Sequence, residues 1–390
     1  MATGFGAAFA IGNDGRVSDD PSEPRVPFAA LALTELPPTR RASVLAATGL
    51  LGSLLIAGLT IIPSPYAIGT AGPTFDTLGE VDGVPLVSIT GAPTYDTTGE
   101  LRLTTVSEAQ ASTTPFTVGQ VISGFFSPYA TVLPEEAVFG DPREREQNQD
   151  NSAQDWVTSQ EKATVSALEA LGQEVPATLT IVEVSPESHA SGLLQADDVI
   201  IAADGEEVDS WSDFSAAISA HEPGEDITVT VLRAGEEVDA TFELLEAPGG
   251  EPRIGILVDP VFDLPIQVDV KIDSVGGPSA GSMFALAIMD LLTEKDELQG
   301  AKVAGTGTID IDGDIGPIGG IHLKMIGARD DGATYFLAPI ENCGDVIGHV
   351  PEGLSVYAVD NLDEAYAAVL AIGRNDTAGL PTCPAAKDET

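Results

Sequence analysis

The chain has 390 residues, and its 43% hydrophobic and 20% charged residues are a normal balance for a protein of two or three globular domains. Its charge is unusual, because 61 acidic residues against 17 basic ones give a formal net charge of −44 at pH 7. Such a chain repels phosphate backbones and anionic headgroups, so the composition excludes nucleic-acid binding. The acidity suits a saline or an extracytoplasmic setting and does not separate the two.

An uncharged segment comes first along the chain. Residues 42–62 run for 21 positions without a charged side chain, about 30 Å as a helix and enough to cross the hydrocarbon core of a bilayer. Arg40 and Arg41 precede it and acidic or neutral residues follow, so the positive-inside rule places residues 1–39 in the cytoplasm and the chain after Pro63 outside. We expect a single-pass protein of the cell membrane with a flexible cytoplasmic tail.

A cleaved signal peptide and a buried core helix are the alternatives for the same segment. The apolar region of a signal peptide is usually ~7–15 residues long, which is shorter than this run. The stretch 63-PSPYAIGTAGP-73 offers no good A-x-A cleavage site. An uncleaved anchor is therefore favoured.

Residues 66–172 are interpreted as a small β-rich juxtamembrane region with one helix. The strand-like runs 84-VPLVSI-89 and 101-LRLTTV-106 are separated by turns rich in Gly, Pro and Thr. The polar, acidic run 134-PEEAVFGDPREREQNQDNSAQD-155 is interpreted as a polar helix or a loop, and it leads into a predicted helix over 155–172 that ends at Gly172.

Residues 173–247 differ from the preceding region in their pattern of strand-like runs around one helical segment. The stretch 184-VSPESHASGLLQADDVIIAADGEEV-208 resembles the core of a PDZ domain, with Asp197-Asp198 where most such domains have Gly-Asp. The expected strands and helix are 177-ATLTIVEV-184, 198-DVIIAADG-205, 212-SDFSAAISAH-221 and 226-DITVTVLRAGEEVDATFEL-244.

The resemblance implies a sheet edge to which a peptide adds as an extra strand. We expect that edge near residues 171–178, although the usual Gly-Leu-Gly-Phe-type signature is absent there, and the peptide-binding residues stay unassigned. The alternative is a structural domain that only spaces the next domain from the membrane.

The chemistry-bearing pattern begins with 275-VGGPSAGSMFALAIMDLL-292. Apolar residues at helical spacing follow Ser279, which places this serine at a helix N-terminus among unpaired N–H groups. Such a position suits a nucleophile whose oxyanion needs backbone donors. It suits an ordinary serine N-cap equally well.

A nucleophilic serine needs a base. The four histidines lie in no recognisable triad motif, and of the lysines after residue 253 only one has an apolar setting. Lys324 follows a glycine-rich turn in 315-IGPIGGIHLKMIGARDDGA-333, where desolvation would favour the neutral amine. The alternative is a lysine whose ammonium group reaches water.

Four motifs then occur in order: G-P-S-A-G at 277–281, T-G at 306–307, D-G-x-I-G-P-I-G-G-I-x-x-K at 312–324 and P-I-E-N at 339–342. Together they resemble the proteolytic domain of the Lon family of Ser–Lys peptidases. With the apolar segment and the PDZ-like region, the chain is similar to the membrane-anchored, ATPase-free Lon-like proteases of Gram-positive bacteria. The expected fold is an α/β (α+β) Lon-type domain over 253–373, preceded by a β-rich PDZ-like domain and one transmembrane helix, with a C-terminal tail at 374–390.

The resemblance implies Ser279 as nucleophile, Lys324 as general base, Thr306 as the residue that orients the lysine, and the N–H groups of Ser279 and Ala280 as oxyanion donors. One departure is Gly276, where many Lon enzymes carry an acidic residue. No G-x-x-x-x-G-K-[ST] motif occurs, so we expect an ATP-independent endopeptidase without a cofactor, acting on exposed or unfolded segments. Lon-like domains often form rings, which implies a homo-oligomer.

Two other functions fit the sequence less well. A catalytically silent membrane scaffold that binds protein C-termini through its PDZ-like domain is disfavoured, because the three expected site residues are all retained. A PDZ-bearing histidine-triad protease of the HtrA type is disfavoured because G-N-S-G-G and a matching histidine motif are absent.

The two cysteines lie near the end of the chain. Cys343 and Cys383 are the only two, and in an oxidising compartment they could close a disulfide loop of about 40 residues, the alternative being two free thiols. Without a CxxC motif or a Cys/His cluster, no metal site is expected.

Overall fold

The structure, a computed structural model, describes residues 39–81, 83–109, 116–139, 145–272 and 275–384. Most of the expected cytoplasmic tail and the last residues of the expected C-terminal tail lie outside these ranges. The helices are α1 (Arg40–Ile61), α2 (Val118–Phe125), α3 (Glu135–Phe139), α4 (Arg145–Ala170), α5 (Trp211–Ser219), α6 (Gly281–Leu292), α7 (Ile321–Asp330), α8 (Cys343–Val346) and α9 (Leu362–Gly373).

The strands follow the same chain order. They are β1 (Tyr66–Asp76), β2 (Glu80–Val81), β3 (Val84–Pro85), β4 (Val87–Thr90), β5 (Glu100–Ala109), β6 (Ala130–Pro134), β7 (Ala177–Val184), β8 (Val199–Ala203), β9 (Glu206–Glu207), β10 (Asp226–Arg233), β11 (Glu236–Glu243), β12 (Leu245–Glu246), β13 (Pro252–Arg253), β14 (Ile256–Phe262), β15 (Gln267–Val270), β16 (Lys302–Gly305), β17 (Thr308–Ile309), β18 (Ile315–Gly316), β19 (Tyr335–Pro339) and β20 (Ser355–Val359).

The chain divides into two units, Met1–Ala57 and Gly58–Thr390. Most of α1 lies in the first unit, and none of its residues is buried. Among the described residues, α1 is the one helix whose length and apolar composition would let it cross a membrane.

The larger sheet of the second unit has the strand order β20-β19-β16-β5-β1-β6. Strands β5, β16, β19 and β20 run parallel, whereas β1 is antiparallel to both of its neighbours. The region at 66–172 was expected to form a scaffold of its own. The structure instead draws its strands into one sheet with strands of the predicted proteolytic region.

The PDZ-like sheet is local in sequence. Its order is β11-β10-β8-β7-β14, with β9 paired to β8. The expected strands at 177–184 and 226–244 are present as β7 and the β10–β11 hairpin. Strand β14 had been expected in the proteolytic region and pairs instead with β7, because an antiparallel partner completes the edge of that sheet.

The Asp197-Asp198 departure has a local explanation. Asp197 adopts a φ of +70°, the left-handed conformation that glycine reaches most easily. Asp198 is buried and receives hydrogen bonds of 2.7 and 2.6 Å from the Arg233 guanidinium, which holds the pKa of that carboxyl low against the opposing effect of burial.

The PDZ-like sheet is inserted, in sequence, between elements that pack with the larger sheet. Strand β7 follows Pro176 and strand β14 ends just before Asp263, whose N–H donates to the Pro176 carbonyl at 2.8 Å. On either side of the insertion, α4 precedes it and β15 follows it, and β15 pairs with β4. The chain thus leaves and re-enters one folded unit at adjacent points.

Helix α6 forms the centre of the core. Its residues from Gly281 to Asp290 are all buried, and it packs against α4, α9 and the larger sheet. Trp156 of α4 meets Phe284 of α6 edge-to-face, with ring centroids 5.1 Å apart. This packing fixes the segment that leads into α6.

The Cys343 and Cys383 sulfurs are bonded in the structure, with their Cα atoms 5.1 Å apart. The Ala358 N–H also donates to the Pro381 carbonyl at 2.9 Å. Part of the segment expected to be a tail is therefore attached to β20 and α8.

Candidate active site

The loop before α6 is held by helix α4. Gly277, with a φ of +82°, donates its N–H to the Ser152 carbonyl at 3.0 Å. The Ser159 hydroxyl donates to the Pro278 carbonyl at 3.2 Å. Two hydrogen bonds between this loop and helix α4 therefore fix the backbone that carries Ser279.

Ser279 does not cap the helix. Helix α6 begins at Gly281 with Ala280 as its N-cap, and no side chain makes a capping hydrogen bond there. The Ser279 hydroxyl instead lies 2.8 Å from the Lys324 amine.

Lys324 enters from the first turn of α7. Gly320 precedes that helix with a φ of +70°, and a Cβ at this position would lie 2.9 Å from Val106 Cγ2, so glycine is required. The Lys324 side chain is 3% exposed, and burial lowers its pKa to about 8. The alternative of a lysine whose ammonium group reaches water is therefore ruled out by the burial of Lys324.

Thr306 links the two residues. It is 1% exposed, its Oγ1 lies 2.9 Å from Lys324 Nζ, and it donates a 2.8 Å hydrogen bond to the Ser279 carbonyl. The Gly307 N–H donates to the same carbonyl at 3.0 Å. The structure thus brings together the three predicted side chains.

The expected oxyanion donors have free N–H groups. Within the described part of the chain, neither the Ser279 nor the Ala280 N–H donates to another protein group, whereas the next one, of Gly281, donates to Pro278. Two unpaired donors beside a serine hydroxyl can bind an anionic oxygen.

A cleft of about 1080 Å³ opens over these groups. Its walls come from β1, β5, β6, α4 and α7, and include Ser279 and Lys324. His322 also lines it, but its Nε2 lies 3.0 Å from Thr131 Oγ1 rather than on Ser279, and burial lowers its pKa.

Sequence reasoning missed the contribution of α4. The helix begins at Arg145, inside the run for which the sequence allows a polar helix or a loop, because its first turns carry polar residues without apolar periodicity. Ser152 of this helix also lies against Gly276, since a Cβ at Gly276 would be 2.7 Å from Ser152 Oγ. The space that an acidic side chain would need is occupied by α4.

Two family models match the chain. Residues 266–372 match the Lon protease (S16) C-terminal proteolytic domain, and residues 149–244 match the PDZ domain. The first match covers all three side chains of the cluster described above.

Curated relatives lie within the Lon proteases. Lon protease 1 of Sorangium cellulosum is 35% identical over 111 residues, which cover 28% of this chain and 13% of that protein. Lon protease 1 of Bacillus subtilis is 32% identical over 132 residues, 33% of this chain and 17% of that protein. Lon protease of Rickettsia typhi is 31% identical over 118 residues, 29% of this chain and 15% of that protein. The matched region is thus a small part of each relative's length.

Solved structures match the PDZ-like region. The PDZ domain of an SdrC-like protein from Listeria monocytogenes is 23% identical and covers 20% of this chain and 85% of that one, with a TM-score of 0.20. The corresponding domain from Listeria innocua is 26% identical and covers 21% and 92%, also with a TM-score of 0.20. The expected resemblance is confirmed at the level of domains: the chain combines a PDZ domain with a Lon-type proteolytic domain.

Proposed function

We propose that the protein is a membrane-anchored serine endopeptidase that uses Ser279 and Lys324 as a catalytic dyad without ATP. The observation that carries the proposal is the 2.8 Å contact between the Ser279 hydroxyl and a buried amine whose pKa falls to about 8. A lysine with an ordinary pKa is almost entirely protonated at neutral pH and cannot accept a proton. Burial makes Lys324 a usable base.

The reaction has two halves. Neutral Lys324 accepts the hydroxyl proton as Ser279 Oγ attacks the peptide carbonyl carbon, and the oxyanion is held by the N–H groups of Ser279 and Ala280. The Lys324 ammonium then protonates the leaving amine as the C–N bond breaks, which leaves an acyl-enzyme and a neutral lysine. A water molecule gives its proton to Lys324 and attacks the ester, and the ammonium returns the proton to Ser279 as the acid product departs.

Thr306 orients the base. Its hydroxyl proton is committed to the Ser279 carbonyl, so its oxygen accepts from Lys324 Nζ. An N–H of the neutral amine that points at Thr306 leaves the nitrogen lone pair available to Ser279. Thr306 is therefore a positioning residue.

The PDZ domain supplies a binding edge for substrate or partner peptides. The edge expected near residues 171–178 is covered, because Thr178 pairs with Val261 of β14. Strand β14 is itself the last strand on that side of the sheet among the described residues, and Leu257 and Val261 on it are exposed. A peptide adding beside β14 would gain main-chain hydrogen bonds and apolar contacts.

Helix α1 would anchor the protein, with both domains outside the cytoplasm. Support comes from its length and apolar composition, the preceding Arg40 and Arg41, and a disulfide suited to an oxidising compartment. Substrates would then be exposed or unfolded extracytoplasmic segments. A homo-oligomer remains a prediction from the resemblance to ring-forming Lon-like domains.

Cleavage of an unfolded model protein by the full chain in detergent, without ATP, tests the proposal. Ser279→Ala and Lys324→Met should each lower cleavage by at least about 10³-fold. Lys271→Met is the matched control, because Lys271 is an exposed lysine outside the cluster. Equal cleavage by all variants would refute the dyad. Peptide binding with no cleavage by the wild type would favour the silent scaffold.

A further inference from the structure

One stretch of this acidic protein lacks charge altogether. Residues 109–134 contain no Asp, Glu, Lys or Arg, although the chain carries a net charge of −44. Helix α2, the turn after it and strand β6 lie in this stretch. An uncharged surface here is where an apolar or neutral partner could approach without desolvating acidic groups.

The exposed face of this region is strongly apolar. The inner side of α2 is buried through Val121 and Gly124, and a Cβ at Gly124 would lie 2.7 Å from Val132 of β6. The outward side chains form the aromatic patch, defined as Ile122 (44% exposed), Phe125 (63%), Phe126 (86%), Tyr129 (64%) and Leu133 (44%). Helical spacing places the first three side by side.

The patch is attached to the segment that follows α1. The Val118 N–H donates to the Ile62 carbonyl at 3.1 Å, and the Ser64 N–H donates to the Phe116 carbonyl at 2.7 Å. Tyr66 meets Phe125 edge-to-face with ring centroids 6.4 Å apart. Since an eight-residue helix is about 12 Å long, the patch lies close to the point where the chain leaves the apolar segment.

We propose that the aromatic patch inserts into the interfacial layer of the bilayer that α1 crosses. This inference rests on the proposed membrane anchoring. Aromatic side chains with a polar tip, such as that of Tyr129, are enriched at the headgroup level, and an amphipathic helix buries its apolar face at the boundary with the acyl chains. Because the patch carries no Lys or Arg, it binds neutral lipid and needs no anionic headgroup.

The probe is the full chain, one copy per nanodisc, in phosphatidylcholine with brominated acyl chains that quench tryptophan fluorescence. Phe126→Trp reports on the patch, and Val350→Trp, at another exposed apolar position, is the matched control. The emission of wild type, from Trp156 and Trp211, is subtracted. Quenching should be several-fold stronger for Phe126→Trp than for Val350→Trp, and stronger with bromines near the headgroup than with deep ones.

Leu54→Trp in α1 separates the two proposals, since deep bromines should quench it if α1 crosses the bilayer. Quenching of Leu54→Trp but not of Phe126→Trp overturns the patch proposal and leaves the anchor. Quenching of Phe126→Trp alone overturns the anchor and, with it, a patch held at the bilayer by α1, and quenching of neither overturns both proposals. A Phe126→Trp side chain shielded from both bromolipid and aqueous acrylamide is covered by protein, which also overturns the proposal.

Discussion

Helix α6 has a buried ionisable group near each end, and the two groups differ in their hydrogen-bond partners. At the N-terminal end, Lys324 has hydroxyl partners at 2.8 and 2.9 Å, and burial lowers its pKa to about 8. At the C-terminal end, Asp290 is 2% exposed and neither carboxylate oxygen has a hydrogen-bond partner among the described residues. Burial, opposed by the nearby Thr97 hydroxyl and reinforced by the charges of Glu297 and Asp296, raises the pKa of Asp290 to about 6.

The same physical cause therefore has two outcomes. Desolvation favours the neutral form of both groups, and the dipole of α6 acts in the same direction, since its positive end faces the amine and its negative end the carboxyl. Of the two groups, only the Lys324 amine makes hydrogen bonds of ordinary length, to the Ser279 and Thr306 hydroxyls, and these fix the direction of its nitrogen lone pair. A shifted pKa by itself therefore does not mark a catalytic group, and the role proposed for Lys324 depends on its hydrogen-bond geometry as well.

Among changes that leave Ser279 and Lys324 in place, the largest expected effect comes from removing the hydroxyl partner of the amine. Thr306→Val keeps the shape but loses the oxygen that accepts from Lys324, so kcat should fall about 10²-fold with little change in KM. Thr306→Ser restores the hydroxyl and should recover most of the activity. Steady-state kinetics on an unfolded substrate measure both. Similar losses for the two variants would mean that Thr306 acts only through packing.

The pH dependence tests the amine directly. The base is active when neutral, and with a pKa of about 8 only about a tenth of it is neutral at pH 7. The value of kcat/KM should therefore rise about tenfold between pH 7 and pH 9 and then level off. A profile already level below pH 6 would contradict a lysine base.

Asp290→Asn tests the other end of α6. Because the folded-state pKa of Asp290 is raised from 3.8 to about 6, the stability that its neutral form contributes is complete below pH 3.8 and is lost as pH rises through 6. The asparagine variant avoids that loss, so it should be more stable than wild type by about 3 kcal/mol at pH 7.5 and by only about 0.5 kcal/mol at pH 4. Denaturant unfolding at the two pH values measures this, with Asp269→Asn on an exposed strand position as the control. A difference that does not change with pH would show that an unidentified partner satisfies Asp290.

The smallest effect concerns the loop before Ser279. Gly276→Ala places a Cβ 2.7 Å from Ser152 Oγ, so the loop or the serine must shift and activity should fall a few-fold. Removing that hydroxyl in the double variant Gly276→Ala with Ser152→Gly should restore it. Gly344→Ala, where a Cβ meets nothing within 4 Å, is the control. Failure of the double variant to recover would exclude α4 as the cause.

Sequence reasoning succeeded where the signal is local. The serine and lysine motifs, the setting of Lys324 among apolar residues, and the hairpin at 226–244 can all be recognised from short stretches. It failed where pairing is distant, as for Glu100 of β5 with Lys302 of β16, because no local pattern encodes a parallel partner so far along the chain. The first turns of α4 could not be told from a loop for a related reason, since they hold the loop before Ser279 and bury no apolar face that would give a periodic pattern.

The insertion of the PDZ domain at Pro176 and Asp263 has a consequence for synthesis. Strands β1 and β5 leave the ribosome early, but β16, the parallel neighbour of β5, follows only after the whole PDZ sheet has been made. The PDZ sheet, whose pairings are local, can close first, while the larger sheet, beside which Lys324 and Thr306 lie, waits for its C-terminal strands. Because Lys324 is synthesised after Ser279 and Thr306, the hydroxyl–amine cluster can form only once the chain up to α7 has been made.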